Sequence, residues 1–527
     1  MNQPLVLTDL LRRAREFFLA KEIVEYGAGA QPHRYTNRDF HDRVVALAGA
    51  LVRLGVRPGD RVATLAWNHR RHLELYHAVP LAGAVLHTVN LRLEPTEIAY
   101  VIGHAGDVVV VADTSLLPKL EAARAERPGL LVVTTDGPAP GTLDYEAIVA
   151  DGPPLLDPPH VDENALAALC YTSGTTGSPK GVGYSHRSLY LHTFAACLAD
   201  GHAISERDTV LHVVPMFHAN AWGIPFAALM TGAKQVLPGP HPAPAQIAKI
   251  IETERVTYTG MVPTVAADLV RHVTTTGADV SSLRALVLGG SPPDDELLRA
   301  LDELGIPVFQ GWGMTEISPM GTFSKPLPAV VDPAERRRSV RKQGRLLPGL
   351  QWRLVGDDGR DQPHDGVSRG ELLIRGPWVA TRYFGGEHPA SFPDGWLRTG
   401  DIATIDTDGY LEIVDRAKDL IKSGGEWISS VALEQALTAN PAVAEAAVVA
   451  VPHERWQERP FALVVLEPGR ADTPDELLAD LAGRVPRWWL PEGVLVVGEL
   501  PRTSVGKIDK KVLRAKVAAG GPWQGAG

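Results

Sequence analysis

Short, continuous apolar runs alternate with helix-like patterns along most of the chain, and this order restricts the fold more than any other feature. Two such runs are Val108-Val109-Val110-Val111 and Leu130-Leu131-Val132-Val133. A strand that is apolar at every position is buried on both faces, as in the centre of a parallel sheet. The amphipathic patterns between the runs, such as Phe40 to Leu54, predict helices that cover the sheet. The sequence therefore predicts an α/β fold with doubly wound sheets.

The length of the chain and a change in its local sequence pattern predict more than one domain. The 527 residues are too many for one ordinary core. After Gly344 the pattern changes to short strands and tight turns, and beyond Lys418 a small α+β pattern follows. We predict a large N-terminal domain, 1–415, with doubly wound sheets and a short-strand β subdomain. A small, mobile α+β domain, 416–527, follows it in this prediction.

Charge and cysteine content exclude several classes of protein. The formal net charge of −10 disfavours general binding to nucleic acid, which needs a basic face. No apolar stretch reaches the roughly 20 residues that span a bilayer, and the charged N-terminus does not fit a secretion signal. The chain has only two cysteines, Cys170 and Cys197, and a single disulfide bond could not stabilise so long a chain. This favours a reducing compartment. We expect a cytoplasmic protein in which Cys170 is a small buried residue and not a nucleophile.

The strongest local motif runs from Tyr171 to Gly181, directly after a predicted strand. Its glycines allow close backbone approach, its hydroxyls donate hydrogen bonds, and its lysine adds a positive charge, all of which suit a phosphate loop. It is not a Walker A loop, because Pro179 and not glycine precedes Lys180. A mobile polar turn is the alternative. The candidate phosphate contacts are Thr172, Ser173, Gly174, Thr175, Thr176, Gly177 and Lys180.

A second motif is Gln310-Gly311-Trp312-Gly313-Met314-Thr315-Glu316. Its glycines leave room beside an indole face on which a purine could stack. Thr315 and Glu316 would then point at the phosphates, and a carboxylate is a hard oxygen ligand that suits Mg²⁺. Alone, the motif is also compatible with an ordinary turn around a buried tryptophan.

Two further motifs supply groups for a sugar and for an α-phosphate. Asp401 could accept both hydroxyls of a ribose, and Arg416 could donate to the same sugar or to phosphate. Surface ion pairing is the commoner fate of such residues. Lys507, in the segment Pro501 to Lys510, would ordinarily be solvated. It gains interest because the other motifs lack a cation to meet the charge that develops during attack on the α-phosphate.

In this order, the four motifs resemble those of the AMP-forming adenylate superfamily, which includes acyl-CoA synthetases, peptide-synthetase adenylation domains and luciferases. The resemblance covers essentially the whole chain, and the combined set is highly specific. Two more segments, Val214 to Trp222 and Asp419 to Ser429, are most similar to those of bacterial medium- and long-chain fatty-acyl-CoA synthetases.

The resemblance implies ATP and Mg²⁺ as cofactors and CoA as a co-substrate. Thr172 to Lys180 would hold the triphosphate, and Glu316 with Thr172 would bind Mg²⁺. Lys507 would bridge the acid's carboxylate and the α-phosphate during adenylation. The other implied contacts are Gly290, Ser291, Pro292, Gly311, Trp312 and Gly313 for adenine, and Asp401 and Arg416 for ribose.

The same resemblance implies a moving C-terminal domain and an acyl pocket. Lys418 would be the hinge, and Gly424 and Gly425 would flank the path of the CoA pantetheine. His218 and Trp222 would lie near the acyl pocket, although an aromatic residue in an apolar run is more often plain core.

The implied reaction is ATP-dependent adenylation of a medium- or long-chain fatty acid with release of pyrophosphate, followed by transfer to CoA. Superfamily members also activate aryl acids, and some activate nitrite to diazotise an aromatic amine, so these alternatives stay open. A peptide-synthetase module is disfavoured because no carrier domain follows Lys510, and a regulatory nucleotide-binding protein because Lys180, Glu316 and Lys507 are all present. Because relatives are often homodimers, the resemblance leaves a homodimer open.

Overall fold

A computed structural model of the chain describes residues 3–27, 31–172, 178–424, 426–502 and 508–519. These residues form two compact units. The first contains the described residues up to Trp352 together with Ile374–Leu397, and the second contains Arg353–Leu373 with the described residues from Arg398 onward. The expected division at 415/416 stays a prediction.

The strands are, in chain order, β1 (Glu22–Glu25), β2 (His33–Thr36), β3 (Arg61–Leu65), β4 (Val85–Thr88), β5 (Val109–Ala112), β6 (Leu131–Thr134), β7 (Leu143–Asp144), β8 (Leu166–Thr172), β9 (Lys180–Ser185), β10 (Thr209–Leu211), β11 (Lys234–Leu237), β12 (Tyr258–Met261), β13 (Ala285–Gly289), β14 (Val308–Gly313), β15 (Met320–Ser324), β16 (Arg345–Leu346), β17 (Gln351–Val355), β18 (Gly370–Arg375), β19 (Leu397–Ile405), β20 (Leu411–Arg416), β21 (Ile421–Ser423), β22 (Glu426–Ile428), β23 (Val443–His453), β24 (Gln457–Leu466) and β25 (Val494–Val496).

The α-helices are α1 (Thr8–Phe17), α2 (Asn37–Arg53), α3 (Arg70–Leu81), α4 (Pro95–Ala105), α5 (Glu121–Glu126), α6 (Tyr145–Ala150), α7 (His186–Cys197), α8 (Ile224–Thr231), α9 (Pro244–Glu254), α10 (Pro263–Thr276), α11 (Asp295–Glu303), α12 (Pro333–Arg341), α13 (Ser430–Thr438), α14 (Pro474–Leu481) and α15 (Lys510–Ala518).

The first unit contains two large, mostly parallel sheets. One has the strand order β7-β6-β5-β3-β4-β8-β9, in which β9 is antiparallel to its neighbour. The other has the order β16-β15-β14-β13-β12-β10-β11-β1-β2, and its antiparallel strands β2, β15 and β16 lie towards the two edges. The predicted α/β class with doubly wound sheets is confirmed.

The apolar runs are buried on both faces, as their composition predicts. In β5, Val109 and Val111 belong to the large core between the two sheets, whereas Val110 and Ala112 pack with α4 and α5 on the other face. The second sheet repeats this arrangement with α9, α10 and α11 on its outer face. Layers of this kind place the carboxyl ends of the parallel strands along sheet edges, where ligand sites of α/β proteins form.

The second unit is a smaller α+β structure. It holds most of a four-stranded sheet, β17-β18-β19-β20, and a sheet with the order β22-β21-β24-β23 in which β25 also pairs with β24. α13, α14 and α15 pack on the latter sheet through two buried apolar clusters. Within the described ranges of both units, no helix has the length and apolar character needed to cross a membrane.

Candidate active site

The candidate phosphate motif is the connection of a β-hairpin. β8 and β9 are antiparallel and pair Thr172 directly with Lys180. Ser173, Gly174, Thr175, Thr176 and Gly177 lie outside the described residues. Gly181, which follows Lys180, has no room for a side chain, because an added Cβ would lie 2.9 Å from the Cβ of Phe384. The hairpin therefore fixes the two ends of the loop and places a lysine and a threonine side by side.

Glu316 lies in a buried polar cluster beside this hairpin. Its carboxylate Oε1 accepts a 2.8 Å hydrogen bond from the Tyr383 hydroxyl, and only 5% of the residue is exposed. The ammonium group of Lys180 lies 5.0 Å from the centre of the same tyrosine ring, within the range of a cation–π contact. Burial raises the pKa of Tyr383, which keeps it a neutral donor. Tyr383 thus connects the lysine of the first motif to the carboxylate of the second.

Tyr184 provides a second connection between the two motifs. It lies on β9, and its hydroxyl donates a 2.7 Å hydrogen bond to the carbonyl oxygen of Thr315. Thr315 is buried like Glu316. Burial raises the pKa of Tyr184, so it too remains protonated. Both tyrosines fix the Thr315–Glu316 segment to the hairpin without adding a charge.

The glycine-rich segments expected around adenine lie on adjacent strands. Gly289, at the end of β13, pairs with Gly311 of β14. The following residues Gly290, Ser291 and Pro292 are exposed, and Trp312 is half-buried. The Trp312 ring lies over Gly321, where an added Cβ would be 2.7 Å from the indole. The structure therefore brings both segments to one sheet edge, next to Thr315.

In the second unit, Asp401 and Arg416 are directly opposite each other on the antiparallel strands β19 and β20. The Arg416 Nε lies 2.8 Å from the Asp401 Oδ1, and a second guanidinium nitrogen donates to the carbonyl oxygen of Thr399. Asp401 is only 2% exposed. The pair is thus a buried carboxylate held by a partly exposed guanidinium, unlike the solvated pair considered as the alternative.

The candidate acyl segment contains an uncommon backbone. Residues Ala219 to Gly223 all have positive φ, with values of 44°, 50°, 49°, 58° and 72°. The left-handed conformation costs an L-residue about 1–2 kcal/mol, and such strain concentrates at functional sites. We call Ala219–Gly223 the left-handed turn. It separates His218, which is half-buried, from the start of α8.

The left-handed turn places the Trp222 ring over two glycines of the second sheet. A Cβ added at Gly260 would lie 3.1 Å from the indole, and one added at Gly289 would lie 2.8 Å from it. A side chain at Gly289 would therefore require the ring to shift, and one at Gly260 would be in tight contact with it. Because Gly289 immediately precedes the segment expected at adenine, Trp222 connects the candidate acyl segment to the candidate nucleotide segment.

The candidate CoA segment lies on the β21–β22 hairpin of the second unit. Gly424 has φ 60°, and a Cβ added there would lie 2.7 Å from the ring of Trp456. The Gly424 N–H donates to the Trp456 carbonyl oxygen at 2.9 Å, and the Arg455 guanidinium lies 4.6 Å from the Trp456 ring centre. Gly425 lies outside the described residues.

The segment expected to act as a hinge is anchored on both sides. The Asp415 carboxylate accepts hydrogen bonds from the backbone N–H and hydroxyl of Ser430, at the start of α13. Asp419 forms a 2.6 Å ion pair with Arg514 of α15. Lys418 lies between these two carboxylates and is exposed. Lys507 lies outside the described residues.

The sequence motifs therefore collect in two groups. The first unit brings together the hairpin ends, the two glycine segments, Glu316 and the left-handed turn, and the second unit contains Asp401, Arg416, Lys418 and Gly424. Sequence reasoning did not single out Tyr383, Tyr184 or Trp456. Their importance comes from contacts across more than 25 positions of the chain, and no local pattern marks them.

Comparison with known proteins gives matches in both units. Residues 11–384 match the family of AMP-binding enzymes, and residues 432–507 match the AMP-binding enzyme C-terminal domain. A long-chain-fatty-acid–CoA ligase of Thermus thermophilus is 48% identical, with 98% of this chain and 96% of the relative covered. A medium-chain-fatty-acid–CoA ligase of Ectopseudomonas oleovorans is 43% identical, with the same coverage of 98% and 96%.

A solved structure extends the comparison to the fold. An anthranilate CoA ligase in complex with anthranoyl-AMP superposes with a TM-score of 0.87 at 26% identity, and covers 98% of this chain and 99% of its own. The sequence matches extend over both compact units, and the structural match has nearly full coverage in both directions. The chain therefore belongs to the family of AMP-binding enzymes.

Proposed function

We propose that this protein is an ATP-dependent acid–CoA ligase that acts on aliphatic carboxylic acids. In the first step the acid's carboxylate oxygen attacks the α-phosphorus of ATP and pyrophosphate leaves, which gives an acyl-adenylate. In the second step the thiolate of CoA attacks the acyl carbon and AMP leaves. Support for the acid and the acceptor comes from the two relatives at 48% and 43% identity, which are named as fatty-acid–CoA ligases.

The observation that carries adenylation is the cluster of Lys180, Tyr383 and Glu316 beside the Thr172–Lys180 pair. A carboxylate that attacks a polyphosphate meets like charge, so the site must supply positive charge at fixed positions. Lys180 supplies one such charge at the end of the phosphate hairpin. Tyr383 keeps the nearby Glu316 carboxylate oriented.

The residues present fit Mg²⁺. The carboxylate of Glu316 and the hydroxyl of Thr172 are hard oxygen ligands, and Mg²⁺ commonly takes one or two protein oxygens together with substrate phosphates. Within the described ranges, no group of three or more His, Cys, Asp or Glu side chains could hold a metal. A Mg²⁺ ion at Glu316 would therefore take most of its ligands from phosphate and water, and it would add charge stabilisation at the phosphates.

We propose that Asp401 and Arg416 hold the ribose and that Trp222 is a gate of the acyl pocket. Asp401 is already oriented by Arg416 at 2.8 Å, so a carboxylate oxygen can accept sugar hydroxyls without a large rearrangement.

The indole of Trp222 occupies the space over Gly260 and Gly289 that an acyl chain would otherwise enter.

Replacement of Trp222 by alanine should change the acid preference. Removal of the indole opens space next to Gly260, and each additional methylene that is buried changes transition-state binding by about 1–3 kcal/mol. We expect the ratio of kcat/KM for hexadecanoate to that for octanoate to change at least tenfold, while the KM for ATP changes less than twofold. An unchanged ratio and unchanged KM for both acids would remove Trp222 from the pocket.

We further propose that CoA approaches along Gly424 and Trp456. Trp456 covers Gly424 and is 38% exposed, and Arg455 lies on its ring. An exposed indole with a guanidinium beside it suits the adenine and phosphates of CoA. The Trp456→Ala variant should raise the KM for CoA about tenfold without slowing acid- and ATP-dependent pyrophosphate exchange.

The matched control for this variant is Trp488→Ala. Trp488 is also in the second unit and is 44% exposed, so the two variants remove similar aromatic surface. Its KM for CoA should stay within twofold of wild type. Equal effects of the two variants on CoA would contradict the assignment of Trp456.

Pyrophosphate release from ATP, measured over a panel of aliphatic acids, aryl acids and nitrite with and without CoA, tests the proposed function. We expect stimulation by aliphatic acids and thioester formation only when CoA is present. Stimulation by nitrite alone, or by aryl acids alone, would replace this proposal with one of the alternatives.

We also propose that the protein is a cytoplasmic homodimer. Its two cysteines are free, with burial raising the pKa of Cys170 to about 11, which fits a reducing compartment and an unreactive thiol. The homodimer rests on the frequency of dimers among superfamily members. Light scattering after size-exclusion chromatography tests it.

A further inference from the structure

We infer that Asn220 is the positioning residue of the acyl site: its buried side chain holds the left-handed turn, and the turn holds Trp222 against Gly260 and Gly289. This inference rests on the proposed function, since it concerns the selection of the acid. Asn220 would affect selection of the acid through the conformation of the turn and not by direct contact with the acid.

The side chain of Asn220 is anchored to the first sheet. The residue is fully buried. Its Oδ1 accepts from the Cys170 thiol at 3.4 Å and from the Thr88 hydroxyl at 3.5 Å, and those two groups are themselves 3.1 Å apart. Cys170 lies on β8 and Thr88 on β4, which are adjacent strands. The two contacts to Asn220 are long individually, but both converge on one amide oxygen.

Asparagine also has the backbone preference that this position requires. Its φ is 50° and its ψ is 44°, in the left-handed region that asparagine enters more readily than other residues with a side chain. The neighbouring Ala219, Ala221 and Trp222 lack that preference and have similar φ values. An anchored residue at the second position of the turn can therefore impose the conformation on its neighbours.

The other end of the left-handed turn is confined by α7. A Cβ added at Gly223 would lie 2.7 Å from the imidazole of His192. The His192 Nε2 accepts from the Met320 N–H at 3.2 Å, and this fixes the ring. The turn is thus held between a polar anchor on one side and a fixed ring on the other, and Trp222 lies between these two points.

Stability does not explain the presence of an asparagine here. Its Nδ2 has no hydrogen-bond partner among the residues that the structure describes. A buried donor without a partner is unfavourable, whereas an apolar residue of similar size would avoid that cost. The amide is better explained by the conformation that it imposes on the backbone.

The anchor is also close to the candidate nucleotide site. Cys170 precedes Thr172 by two residues on β8, and the Tyr184 that contacts the Thr315 carbonyl lies on the paired strand β9. β8 therefore carries both one end of the phosphate hairpin and one of the two residues that anchor the turn. Replacement of Asn220 changes the turn and not β8, whose pairing with β9 holds the ends of the hairpin, so we expect an effect on acid selection with the candidate phosphate contacts in place.

The test compares Asn220→Ala and Asn220→Gly with wild type. We expect Asn220→Ala to move the ratio of kcat/KM for hexadecanoate to that for octanoate at least fivefold towards one, with the KM for ATP within twofold. Asn220→Gly permits the left-handed backbone but removes the anchor, so it should move the ratio in the same direction by a smaller factor. An unchanged ratio, or equal loss on both acids with a raised KM for ATP, would overturn the inference.

The matched control is Asn37→Ala. Asn37 is also a buried asparagine of the first unit, and its amide donates to the Phe18 carbonyl oxygen far from the turn along the chain. This variant should lower the thermal midpoint but leave the acid ratio unchanged. A ratio that moves equally in both variants would mean that general loosening, and not the anchor, is responsible.

A crystal structure of Asn220→Ala separates this inference from the proposed function, because it does not depend on activity. We expect at least one of Ala219, Ala221 and Trp222 to leave the left-handed region, and the indole to move away from Gly260. An unchanged turn would overturn the inference even if the protein is an acid–CoA ligase. A displaced turn in a protein without acid-dependent pyrophosphate release would refute the proposed function alone.

Discussion

Replacement of Lys507 by alanine is expected to slow formation of the acyl-adenylate by about 10²–10³-fold and to leave attack of CoA on a supplied acyl-adenylate within about threefold of wild type. The reason is that negative charge builds up when a carboxylate approaches the α-phosphate, and a fixed cation offsets it. The second step expels AMP from a carbonyl carbon and does not need a cation at that place.

Each half-reaction can be measured separately. Exchange of labelled pyrophosphate into ATP reports the first step, and thioester formation from synthetic acyl-adenylate reports the second. Lys511→Ala is the matched control, because this exposed lysine lies at the start of α15, four positions further along the chain. It should behave like wild type in both assays. An equal loss in both steps for Lys507→Ala would contradict a role confined to adenylation.

A step-specific lysine implies that the C-terminal domain contributes differently to the two steps, and we propose Lys418 as the hinge. Asp415 is fixed to the start of α13 and Asp419 to Arg514 of α15. Because α13 and α15 pack on the same sheet, a rotation about Lys418 would have to release the Asp415 carboxylate from Ser430. Hinges typically consist of a few residues at the ends of elements.

Helices and strands with a strong local signal were predicted well. The predicted helix from Phe40 to Leu54 corresponds to α2, and the apolar runs at 108–111 and 130–133 each differ from β5 and β6 by one residue at each end. The helix has apolar residues at helical spacing and a capping box at Thr36, and the two strands are continuous apolar runs. The strands β1 and β2 were not predicted, because β1 pairs with β11 about 200 positions away. A local sequence pattern contains no information about a partner strand so far away in the chain.

Within the candidate site, sequence reasoning identified groups but not the contacts between them. The motifs alone indicated Lys180 and Glu316, whereas Tyr383, which contacts both, comes from a segment without a recognisable pattern. The run from Trp222 to Leu229 looks like ordinary core in sequence. The left-handed backbone before α8 depends on the anchor at Cys170 and on the imidazole of His192, and both are distant in the chain.

The Glu316→Gln variant is expected to lower kcat/KM for adenylation by about 10²–10³-fold and to raise the Mg²⁺ concentration needed for half-maximal rate. The substitution preserves the volume of a residue that is only 5% exposed. A glutamine oxygen can still accept the hydrogen bond from Tyr383. What the variant loses is the negative charge, so its effect isolates the electrostatic role from packing.

The Tyr383→Phe variant tests the hydrogen bond to Glu316 while the charge of Glu316 is kept. It removes the hydroxyl that donates to Glu316 but keeps both the carboxylate and the ring that Lys180 contacts. One hydrogen bond to a charged group contributes about 1.5–3 kcal/mol, so we expect a loss of about tenfold to a hundredfold without a large change in Mg²⁺ requirement. Pyrophosphate release titrated with Mg²⁺ distinguishes the two variants. The Glu316 backbone carbonyl oxygen also accepts a 2.8 Å hydrogen bond from the Ala380 N–H. If Glu316→Gln kept the wild-type rate and Mg²⁺ dependence, then Glu316 would serve only to hold Tyr383 and the backbone of Ala380.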